Sequence, residues 1–371
     1  MTKAIDLSRS VWVPWMRRAL DLASLADGYT SPNPIVGAVI IDDLGKLVGE
    51  GFHSRAGDSH AEVRAINQAK CHARGGTLVV TLEPCCHQGL TPPCTDAVIE
   101  AGIKRVVVAL VDPDPRVCGA GVRRLRDAGL EVITGILEQE ALHQNRSFVH
   151  RVNTGRPWGI LKLAVSIDGR TALPNGQSKW ISGIDSRDWV HIQRARCDAV
   201  IVGGGTLRQD DPLLTSRGKR DPEPLRVVLT KSLDLPQEAK LWDLEEASTL
   251  IASSKEQLNS SRKSIPDGPE MVALPECEPR DLLQELASRG CNRILWECGP
   301  RLAASALRQG CVQELVAIVA PKLLGGVDAM TAMSELGFDS MEEVVELINC
   351  SFRQLGRDFL LKAVLPKNLQ F

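Results

Sequence analysis

Hydrophobic positions in the first 154 residues alternate between runs typical of strands and spacings typical of helices. Short apolar runs bounded by glycine, proline or polar residues predict strands, which we place at Val36–Ile41, Leu78–Thr81, Val106–Leu110 and Glu131–Thr134. Apolar residues spaced three and four apart predict helices between them, near residues 60–70, 95–101 and 120–128. Because strands alternate with helices, the pattern predicts a three-layer α/β/α domain in which helices cover a sheet.

A second domain is predicted after a break in this pattern. A helix predicted over Glu138–Val152 leads to Thr154-Gly155-Arg156-Pro157, where glycine and proline interrupt the periodicity. We therefore expect one domain at residues 1–154 and another at 155–371. The second is again α/β, with strands predicted at Ile160–Val165, Ala199–Val202, Leu225–Leu229, Thr249–Ala252, Met271–Leu274, Ile294–Glu297 and Leu315–Ala320. The serine- and charge-rich stretch 255–269 is predicted to be a surface excursion.

Length and composition agree with two domains and exclude some classes of partner. A chain of 371 residues is too long for one ordinary core. The net charge of −2, with no block of like charges, does not indicate a nucleic-acid surface. Eleven cysteines without a secretory signal indicate a reducing compartment, which we expect to be the cytoplasm. No apolar run is long enough to predict a membrane span.

The most informative chemistry is His60-Ala61-Glu62, followed by Pro84-Cys85 and then Cys94. The elements around them place His60 at a helix start, Cys85 just after a strand and Cys94 before another helix. These three residues are zinc ligands by type, and a catalytic zinc keeps three protein ligands and one position for water. Glu62 would then transfer a proton from that water to a departing amino group, as in hydrolytic deamination.

Two alternatives to a catalytic zinc site remain open at this point. In a closed structural site, Cys86 or His87 would be a fourth ligand and Glu62 an ordinary helix residue. Adjacent Cys85 and Cys86 rarely reach one tetrahedral ion, which favours the catalytic interpretation. The cysteines could also be unrelated to metal, although the order of His, Glu and both Cys along the predicted elements argues against coincidence.

Two glycine clusters lie in the second domain. Val202-Gly203-Gly204-Gly205-Thr206 follows a buried strand and allows a phosphate or flat ring to approach the backbone. Glu297-Cys298-Gly299-Pro300-Arg301 leads from a strand into a predicted helix, whose first turn can bind a diphosphate. Each cluster alone could be a simple strand-to-helix turn. Together, at the carboxyl ends of strands in an α/β sheet, they predict a nucleotide cofactor.

The chain as a whole resembles the bifunctional riboflavin-biosynthesis deaminase-reductases. The resemblance rests on segments at residues 31–37, 60–62, 81–94, 112–115, 162–171, 210–215 and 320–326. The eight residues between Cys85 and Cys94 are typical of that family, whereas most nucleobase deaminases have two. The resemblance implies a cytidine-deaminase-like first domain and a second domain similar in fold to dihydrofolate reductase.

Two consecutive reactions follow from this resemblance. The first domain would use zinc to remove the 2-amino group of 2,5-diamino-6-ribosylamino-4(3H)-pyrimidinone 5′-phosphate. The second would use NADPH to reduce the ribosyl side chain to ribityl. The expected partners are this phosphorylated pyrimidine and further copies of the chain in a homo-oligomer, with no nucleic acid and no membrane.

The resemblance also implies roles for individual residues. Lys162, Asp210 and Glu297 match polar positions of the reductase site, which we take as its catalytic residues. Asn33 and His87 match substrate contacts of the deaminase, and Ser178, Arg194, Leu214, Arg217 and Glu297 match those of the reductase. The NADP contacts match Ala164, Trp180, Thr206, Asp210, Gly299, Pro300, Arg301, Leu302, Ala303, Ala304 and Ser305.

Two positions depart from the family pattern. Leu90 stands where the family usually has a basic residue that meets the substrate phosphate of the deaminase. The sequence therefore does not predict how tightly the deaminase binds this substrate. Thr230-Lys231 replaces an Asp-Ser pair after a strand of the reductase. The zinc ligands and Glu62 are all present.

Two other classes of protein share parts of these motifs. A nucleic-acid-editing deaminase would carry a basic groove and stacking aromatics, yet only 4% of this chain is aromatic. A non-enzymatic protein stabilised by zinc would not need Glu62, and it would unfold when the metal is removed.

Overall fold

The computed structural model describes residues 7–88, 92–114, 117–260 and 268–366. The chain divides into two compact units, Met1–Gly155 and Arg156–Phe371. In the described residues no helix has the length and apolar character needed to cross a membrane.

The first unit is a five-stranded sheet between two layers of helices. Its strands are β1 (Gly37–Ile41), β2 (Leu47–Phe52), β3 (Thr77–Leu82), β4 (Arg105–Leu110) and β5 (Glu131–Thr134). Its helices are α1 (Leu7–Ser10), α2 (Val13–Ser24), α3 (Ala61–Ala69), α4 (Cys94–Glu100), α5 (Ala120–Asp127), α6 (Glu138–Gln144) and α7 (Arg146–Thr154), and a short 3₁₀ turn follows α3.

The strand order is β2-β1-β3-β4-β5, in which β3, β4 and β5 are parallel and β1 is antiparallel to both its neighbours. Alternate strand residues point to opposite faces. One face packs on α3, α4 and α5, and the other on α2 and α6. This confirms the predicted three-layer α/β/α domain and places the carboxyl ends of β3 and β4 beside each other.

Two details of the first unit were predicted wrongly. The sequence pattern gave no strand at β2, because Gly49 and Gly51 look like breakers of regular structure. In the fold these glycines let α3 approach the sheet, since a Cβ at Gly49 would lie 2.2 Å from the carbonyl oxygen of Ala65. The single helix predicted over Glu138–Val152 is two helices, because the amide side chain of Asn145 bonds both backbone groups of Ile35.

The second unit is built on a nine-stranded sheet. Its strands are β6 (Trp158–Ser166), β7 (Ala199–Gly203), β8 (Leu225–Leu229), β9 (Thr249–Ser254), β10 (Glu270–Leu274), β11 (Arg293–Trp296), β12 (Glu314–Ala320), β13 (Ile348–Leu355) and β14 (Asp358–Val364). Its helices are α8 (Ile184–Ala195), α9 (Gly204–Asp210), α10 (Lys255–Ser260), α11 (Pro279–Ser288) and α12 (Pro300–Arg308), with a 3₁₀ turn at Lys240–Trp242.

The strand order is β10-β9-β8-β7-β11-β6-β12-β14-β13, parallel from β10 to β12 and antiparallel over the last two strands. Separate hydrophobic cores cover the two faces, one built on α11 and α12 and the other on α8. The hairpin of β13 and β14 was not predicted, because most β13 side chains are exposed and the strand lacks a buried apolar run. The carboxyl ends of β6, β7, β8 and β11 meet at one edge of the sheet, where α/β proteins bind ligands.

Two candidate active sites

Three predicted zinc ligands lie together in the first unit. His60 is the residue before α3, Cys94 is the first residue of α4, and Cys85 follows the end of β3. His60 Nδ1 lies 3.1 Å from Cys94 Sγ and 3.6 Å from Cys85 Sγ. The backbone N–H of Cys94 donates a hydrogen bond to Cys85 Sγ at 3.3 Å. The three ligand atoms all lie within 4.8 Å of one another.

These spacings suit one tetrahedral ion. Nitrogen and sulfur ligands at usual zinc distances are separated by about 3.6 Å around a tetrahedral centre. The two N–S distances of 3.1 and 3.6 Å are near that value without rearrangement. Two thiols and one imidazole are also the donor types that zinc prefers. The residues present therefore fit a zinc ion with three protein ligands.

Glu62 is buried beside this cluster, in the first turn of α3. Burial raises the pKa of its carboxyl to about 7, and the negative charge of Cys85 adds to the effect. A divalent cation held by the three ligands would offset the effect of the Cys85 charge on the pKa of Glu62. A carboxyl group in this position can both accept and donate a proton near neutral pH.

The two thiols interact strongly with each other. A hydrogen bond from Cys94 to Cys85 lowers the pKa of Cys85 to about 4 and raises the pKa of Cys94. The helix start at Cys94 and the neighbouring His60 favour thiolate at this place. Cysteine with a lowered pKa is a ready metal ligand.

Cys86 and His87 are the residues that a closed structural site would need as a fourth ligand. Among the described residues, the one group whose ligand atoms converge contains neither of them. The pKa of the Cys86 thiol is raised by burial, and His87 is exposed. Leu90 lies outside the described residues. The geometry favours a site with an open fourth position.

A buried histidine, absent from the sequence-based predictions, lies between Asn33 and the ligand cluster. His53 is 2% exposed, its Nε2 is 3.0 Å from Asn33 Nδ2, and its ring meets that of His60 edge-on at 5.1 Å. Burial lowers the pKa of His53. The sequence offers no periodic signal for it, since its partners come from distant segments. Asn33 and His53 are therefore a hydrogen-bonded polar pair beside the metal ligand His60.

Another unpredicted residue, Glu83, fixes the backbone that leads to Cys85. Its buried carboxylate accepts hydrogen bonds from the backbone N–H groups of Asp112 (3.1 Å), Gly119 (2.9 Å) and Val122 (2.9 Å). It thereby joins the end of β3 to the start of α5, where a carboxylate also interacts favourably with the helix dipole.

We expect that Cys85→Ser and Cys94→Ser each lose the zinc, whereas Cys86→Ser keeps one zinc per chain. Serine is a poor zinc ligand at neutral pH, and Cys86 lies outside the converging group. Metal analysis of the purified variants measures this directly. Loss of zinc in Cys86→Ser would indicate a closed, structural site.

We also expect Glu83→Gln to weaken zinc binding by about 10-fold, since outer groups that orient metal ligands contribute to affinity. An amide can accept hydrogen bonds only through its oxygen, and its NH₂ group would face N–H donors that the carboxylate now satisfies. Competition with a chelator measures the affinity. Glu100→Gln, on the exposed side of α4, is the matched control. Equal affinity in both variants would contradict a role for Glu83 in ligand placement.

In the second unit, Glu297 joins two cations at the carboxyl end of the sheet. Arg194 lies at the end of α8. Its Nε donates to Glu297 Oε1 at 2.6 Å, and its Nη2 donates to Glu297 Oε2 at 3.1 Å. Lys162 Nζ, on β6, lies 3.5 Å from Oε2. Burial alone would raise the pKa of Glu297, yet the charges of Arg194 and Lys162 lower it to about 2. Glu297 is therefore ionised at any physiological pH.

Asp210 and Ser178 form a second polar group of the predicted reductase site. Ser178 Oγ donates to Asp210 Oδ1 at 3.1 Å, and Lys179 Nζ donates to the Asp210 carbonyl at 2.8 Å. Asp210 is the last residue of α9. The structure thus brings together one predicted catalytic residue and one predicted substrate contact.

The two glycine clusters also meet. Leu302, in the first turn of α12, lies 3.4 Å from where a Cβ of Gly203 would be, and Thr206 Oγ1 lies 3.6 Å from that of Gly299. A Cβ at Gly205 would have only the Arg208 side chain at 4.0 Å, so its backbone borders open space. The backbone N–H groups that begin α12 have no intrahelical partners. These features fit a diphosphate. The other predicted contacts differ in exposure. Ala164 on β6 and Ser305 on α12 are half-buried and Arg301 is exposed, whereas Ala303 and Ala304 are 0% exposed and are not open to a ligand.

Trp180 is not a core residue, because 64% of it is exposed. The guanidinium of Arg187 lies 4.5 Å from its ring centroid, and Lys322 Nζ donates to its carbonyl oxygen. The open face of the indole is free to stack on a flat ring, as the cofactor prediction requires.

Two predicted substrate contacts differ in what they can offer. Leu214 is 1% exposed and packs in the core, so the structure leaves neither its side chain nor its backbone open to a ligand. Arg217 is exposed, which suits a phosphate. His191, absent from the predictions, lies one turn before Arg194 on α8, and its pKa is lowered by burial and by the charges of Arg194 and Arg217. The sequence feature that could have indicated His191 is its spacing of three residues from Arg194 on the same helix.

Family models match both units. A model described as the RibD C-terminal domain matches residues 157–361. One described as the cytidine and deoxycytidylate deaminase zinc-binding region matches residues 13–110.

Similar proteins extend over nearly the whole chain. The riboflavin biosynthesis protein RibD of Synechocystis sp. is 45% identical, over 95% of this chain and 96% of the relative. The solved structure of Acinetobacter baumannii RibD, form 1, has a TM-score of 0.87 at 37% identity and covers 97% of this chain and 100% of its own. That of a diaminohydroxyphosphoribosylaminopyrimidine deaminase/5-amino-6-(5-phosphoribosylamino)uracil reductase from Thermotoga maritima has a TM-score of 0.85 at 34% identity, with 97% and 100% covered.

Proposed function

Since the chain belongs to the RibD family of riboflavin-biosynthesis deaminase-reductases, we propose how its residues divide the two reactions. It is a bifunctional enzyme with a zinc-dependent deaminase and an NADPH-dependent reductase. The observation that supports a division by unit is that two chemically different polar clusters lie wholly within Met1–Gly155 and wholly within Arg156–Phe371. We place the domain boundary between Thr154 and Gly155.

The deaminase substrate that we propose is 2,5-diamino-6-ribosylamino-4(3H)-pyrimidinone 5′-phosphate. His60, Cys85 and Cys94 would hold the zinc ion, which would supply a water activated for attack near neutral pH. Glu62 accepts a proton at its carboxylate and delivers it to the departing amino group, which its burial beside the ligands allows.

Asn33 and His53 would bind the polar edge of the pyrimidine, because they line the same side of the metal ligands and share a hydrogen bond. His87, which is exposed, would contact a part of the substrate that lies further from the zinc ligands. Buried polar groups select for a ligand that satisfies their hydrogen bonds.

For the reductase, bound NADPH would supply a hydride to the ribosyl C1′, while the bond from that carbon to the ring oxygen breaks and the oxygen takes up a proton from solvent; the chain positions the substrate. Lys162 holds a positive charge near the sugar, and Glu297 orients both Lys162 and Arg194. The low pKa of Glu297 makes it a poor proton donor, so we assign it an orienting role. Ser178 and Asp210 bind sugar hydroxyls, and Arg217 binds the substrate phosphate, whereas the buried Leu214 is given no direct contact.

The cofactor contacts that we propose follow the glycine clusters. The backbone around Thr206 and the segment from Gly299 to Ser305 hold the diphosphate, and Trp180 and Ala164 flank the rings. Asp210 ends α9 beside them.

Separate assays of the two reactions on the full-length protein test this function. Ammonia release from the diaminopyrimidine phosphate reports deamination, and NADPH oxidation with the deaminated intermediate reports reduction. Failure of either assay, with zinc bound and the chain folded, would contradict the corresponding half of the assignment.

We further propose that the enzyme works as a homo-oligomer, without nucleic acid or membrane, in the cytoplasm. All eleven cysteines are free, which suits a reducing compartment. The near-neutral charge supports a small-molecule partner over a nucleic acid.

A further inference from the structure

The loop at residues 211–224 joins the end of α9 to the start of β8 and carries Arg217. Arg217 is the residue that we propose to bind the substrate phosphate. Thr215 and Ser216 before it are buried, whereas Arg217 itself is exposed. The side chain therefore extends from a buried stretch of backbone, and whatever holds that backbone decides where the guanidinium lies.

One carboxylate, that of Glu223, bonds the backbone on both sides of Arg217. Its Oε2 accepts from the N–H of Ser216 at 2.5 Å, and its Oε1 accepts from the N–H of Gly218 at 3.1 Å. Oε1 also accepts from Ser216 Oγ at 2.8 Å, and that oxygen accepts from the N–H of Arg220 at 3.1 Å. Backbone N–H groups that converge in a turn bind anions, and here the anion is the chain's own carboxylate.

Arg217 has a backbone conformation that needs such support. Its φ is +60°, in the left-handed region that residues other than glycine rarely adopt. The bonds from Glu223 to the N–H groups on both sides hold it there. Without the carboxylate, Arg217 can relax to an ordinary conformation, which would change the direction of its Cα–Cβ bond.

The same loop is tied to the predicted reductase site. Arg194 Nη1 donates to the carbonyl oxygen of Thr215 at 3.0 Å, while its other two nitrogens bind Glu297. The pKa of His191 is lowered by burial and then by the charges of Arg194 and Arg217, so both guanidinium groups lie near that imidazole. Arg217 is therefore close to the cluster that is proposed to receive the sugar.

We propose that Glu223 is a positioning residue for substrate recognition, which holds Arg217 where its guanidinium binds the 5′-phosphate. The inference deepens the proposed function of the second unit and rests on it. A carboxylate repels a phosphate, and the donors that Glu223 accepts from all belong to this loop, so Glu223 acts through the loop and not on the substrate. A guanidinium binds phosphate through directed hydrogen bonds, so a displaced arginine binds it less well.

The inference predicts a loss of substrate binding rather than of chemistry. For Glu223→Ala we expect KM for the deaminated intermediate to rise about 5- to 20-fold, with kcat within about two-fold of the parent. Arg217→Ala removes the guanidinium itself and should raise KM about 10- to 100-fold, the range for a hydrogen bond to a charged group. With the same compound after its phosphate is removed, both variants should match the parent in kcat/KM.

The double variant Glu223→Ala/Arg217→Ala tests whether the carboxylate acts through the arginine. If it does, KM of the double variant equals that of Arg217→Ala, because the contact that Glu223 supports is already missing. An additional loss in the double variant would mean that Glu223 acts elsewhere and would overturn the inference.

Glu223→Gln separates the hydrogen bonds from the charge. Its amide oxygen can accept from the N–H of Ser216 and its NH₂ can donate to Ser216 Oγ, while the N–H of the exposed Gly218 can bond water. We therefore expect KM of Glu223→Gln to lie well below that of Glu223→Ala. Glu245→Ala, at an exposed acid in another loop, is the control and should have the parental KM.

All assays use the full-length protein, and NADP⁺ binding checks the fold of each variant. An unchanged KM in Glu223→Ala, an equal loss with the dephosphorylated compound, a KM of Glu223→Gln as high as that of Glu223→Ala, or weaker NADP⁺ binding in Glu223→Ala would each overturn the inference. If Arg217→Ala has the parental KM, the proposed phosphate contact fails and the inference fails with it. That result is distinguishable, because it is seen with Glu223 intact. A parent that reduces neither compound would contradict the reductase assignment itself.

Discussion

Glu62→Gln is expected to lower the rate of deamination by at least about 100-fold while zinc stays bound, because an amide cannot transfer the proton. Glutamine has nearly the shape of glutamate, and none of the three ligands is altered. The buried position of Glu62 leaves little room for water to replace it as the proton carrier. Ammonia release measures the rate, and metal analysis of the same sample measures zinc.

The chain offers two controls for this experiment. Glu100→Gln changes an exposed acid on α4 and should release ammonia at the parental rate. NADPH oxidation by Glu62→Gln should also be unchanged, because the reductase residues lie in the other unit. Turnover of Glu62→Gln within a few fold of the parent would rule out Glu62 as the proton carrier. Loss of zinc in that variant would instead show that Glu62 supports the ligands.

The parts of the deaminase site that sequence could predict are those set by local structure. His60, Glu62, Cys85 and Cys94 sit at the ends of elements whose type follows from hydrophobic periodicity, so their convergence could be anticipated. His53 and Glu83 could not, because their partners are remote in sequence: Asn33 is 20 residues from His53, and Val122 is 39 residues from Glu83. Such contacts depend on how strands align, which periodicity does not specify.

The same distinction holds in the second unit. Its parallel strands were predicted because most of them are continuously apolar, as expected for strands buried on both faces. The β13 and β14 hairpin was missed because β13, at the edge of the sheet, is mostly exposed, and β14 has a broken pattern of buried and exposed positions. Lys162 and Glu297 both match polar positions of the reductase site, yet the closest partner of Glu297 is Arg194, at 2.6 Å. The sequence offered no sign of this contact, and the lowered pKa of Glu297, about 2, suits the orienting role that we propose for it.

The two activities are expected to be separable, and Lys162→Met is the cleaner variant to show it. Arg194 still pairs with Glu297 when the ammonium is removed, so no buried charge is left alone. If Lys162 lies at the reacting sugar, as we propose, loss of its charge should lower NADPH-dependent reduction by about 100-fold or more. Ammonia release should stay within about two-fold of the parent, because the zinc ligands lie in the other unit.

Glu297→Gln tests the same site at the carboxylate that pairs with both Arg194 and Lys162. Reduction should again fall by about 100-fold, because Arg194 and Lys162 lose the carboxylate that orients them, and small displacements are costly for hydride transfer. This variant leaves two cations without their buried partner, so its folding is checked by NADP⁺ binding, with Glu245→Gln as an exposed control. NADPH oxidation is assayed with the deaminated intermediate supplied directly, so that a slow first step cannot limit the second. Undiminished oxidation in both Lys162→Met and Glu297→Gln would remove these residues from the reductase site. A parallel fall in ammonia release would instead mean that the two units depend on each other, because neither residue belongs to the unit that carries zinc.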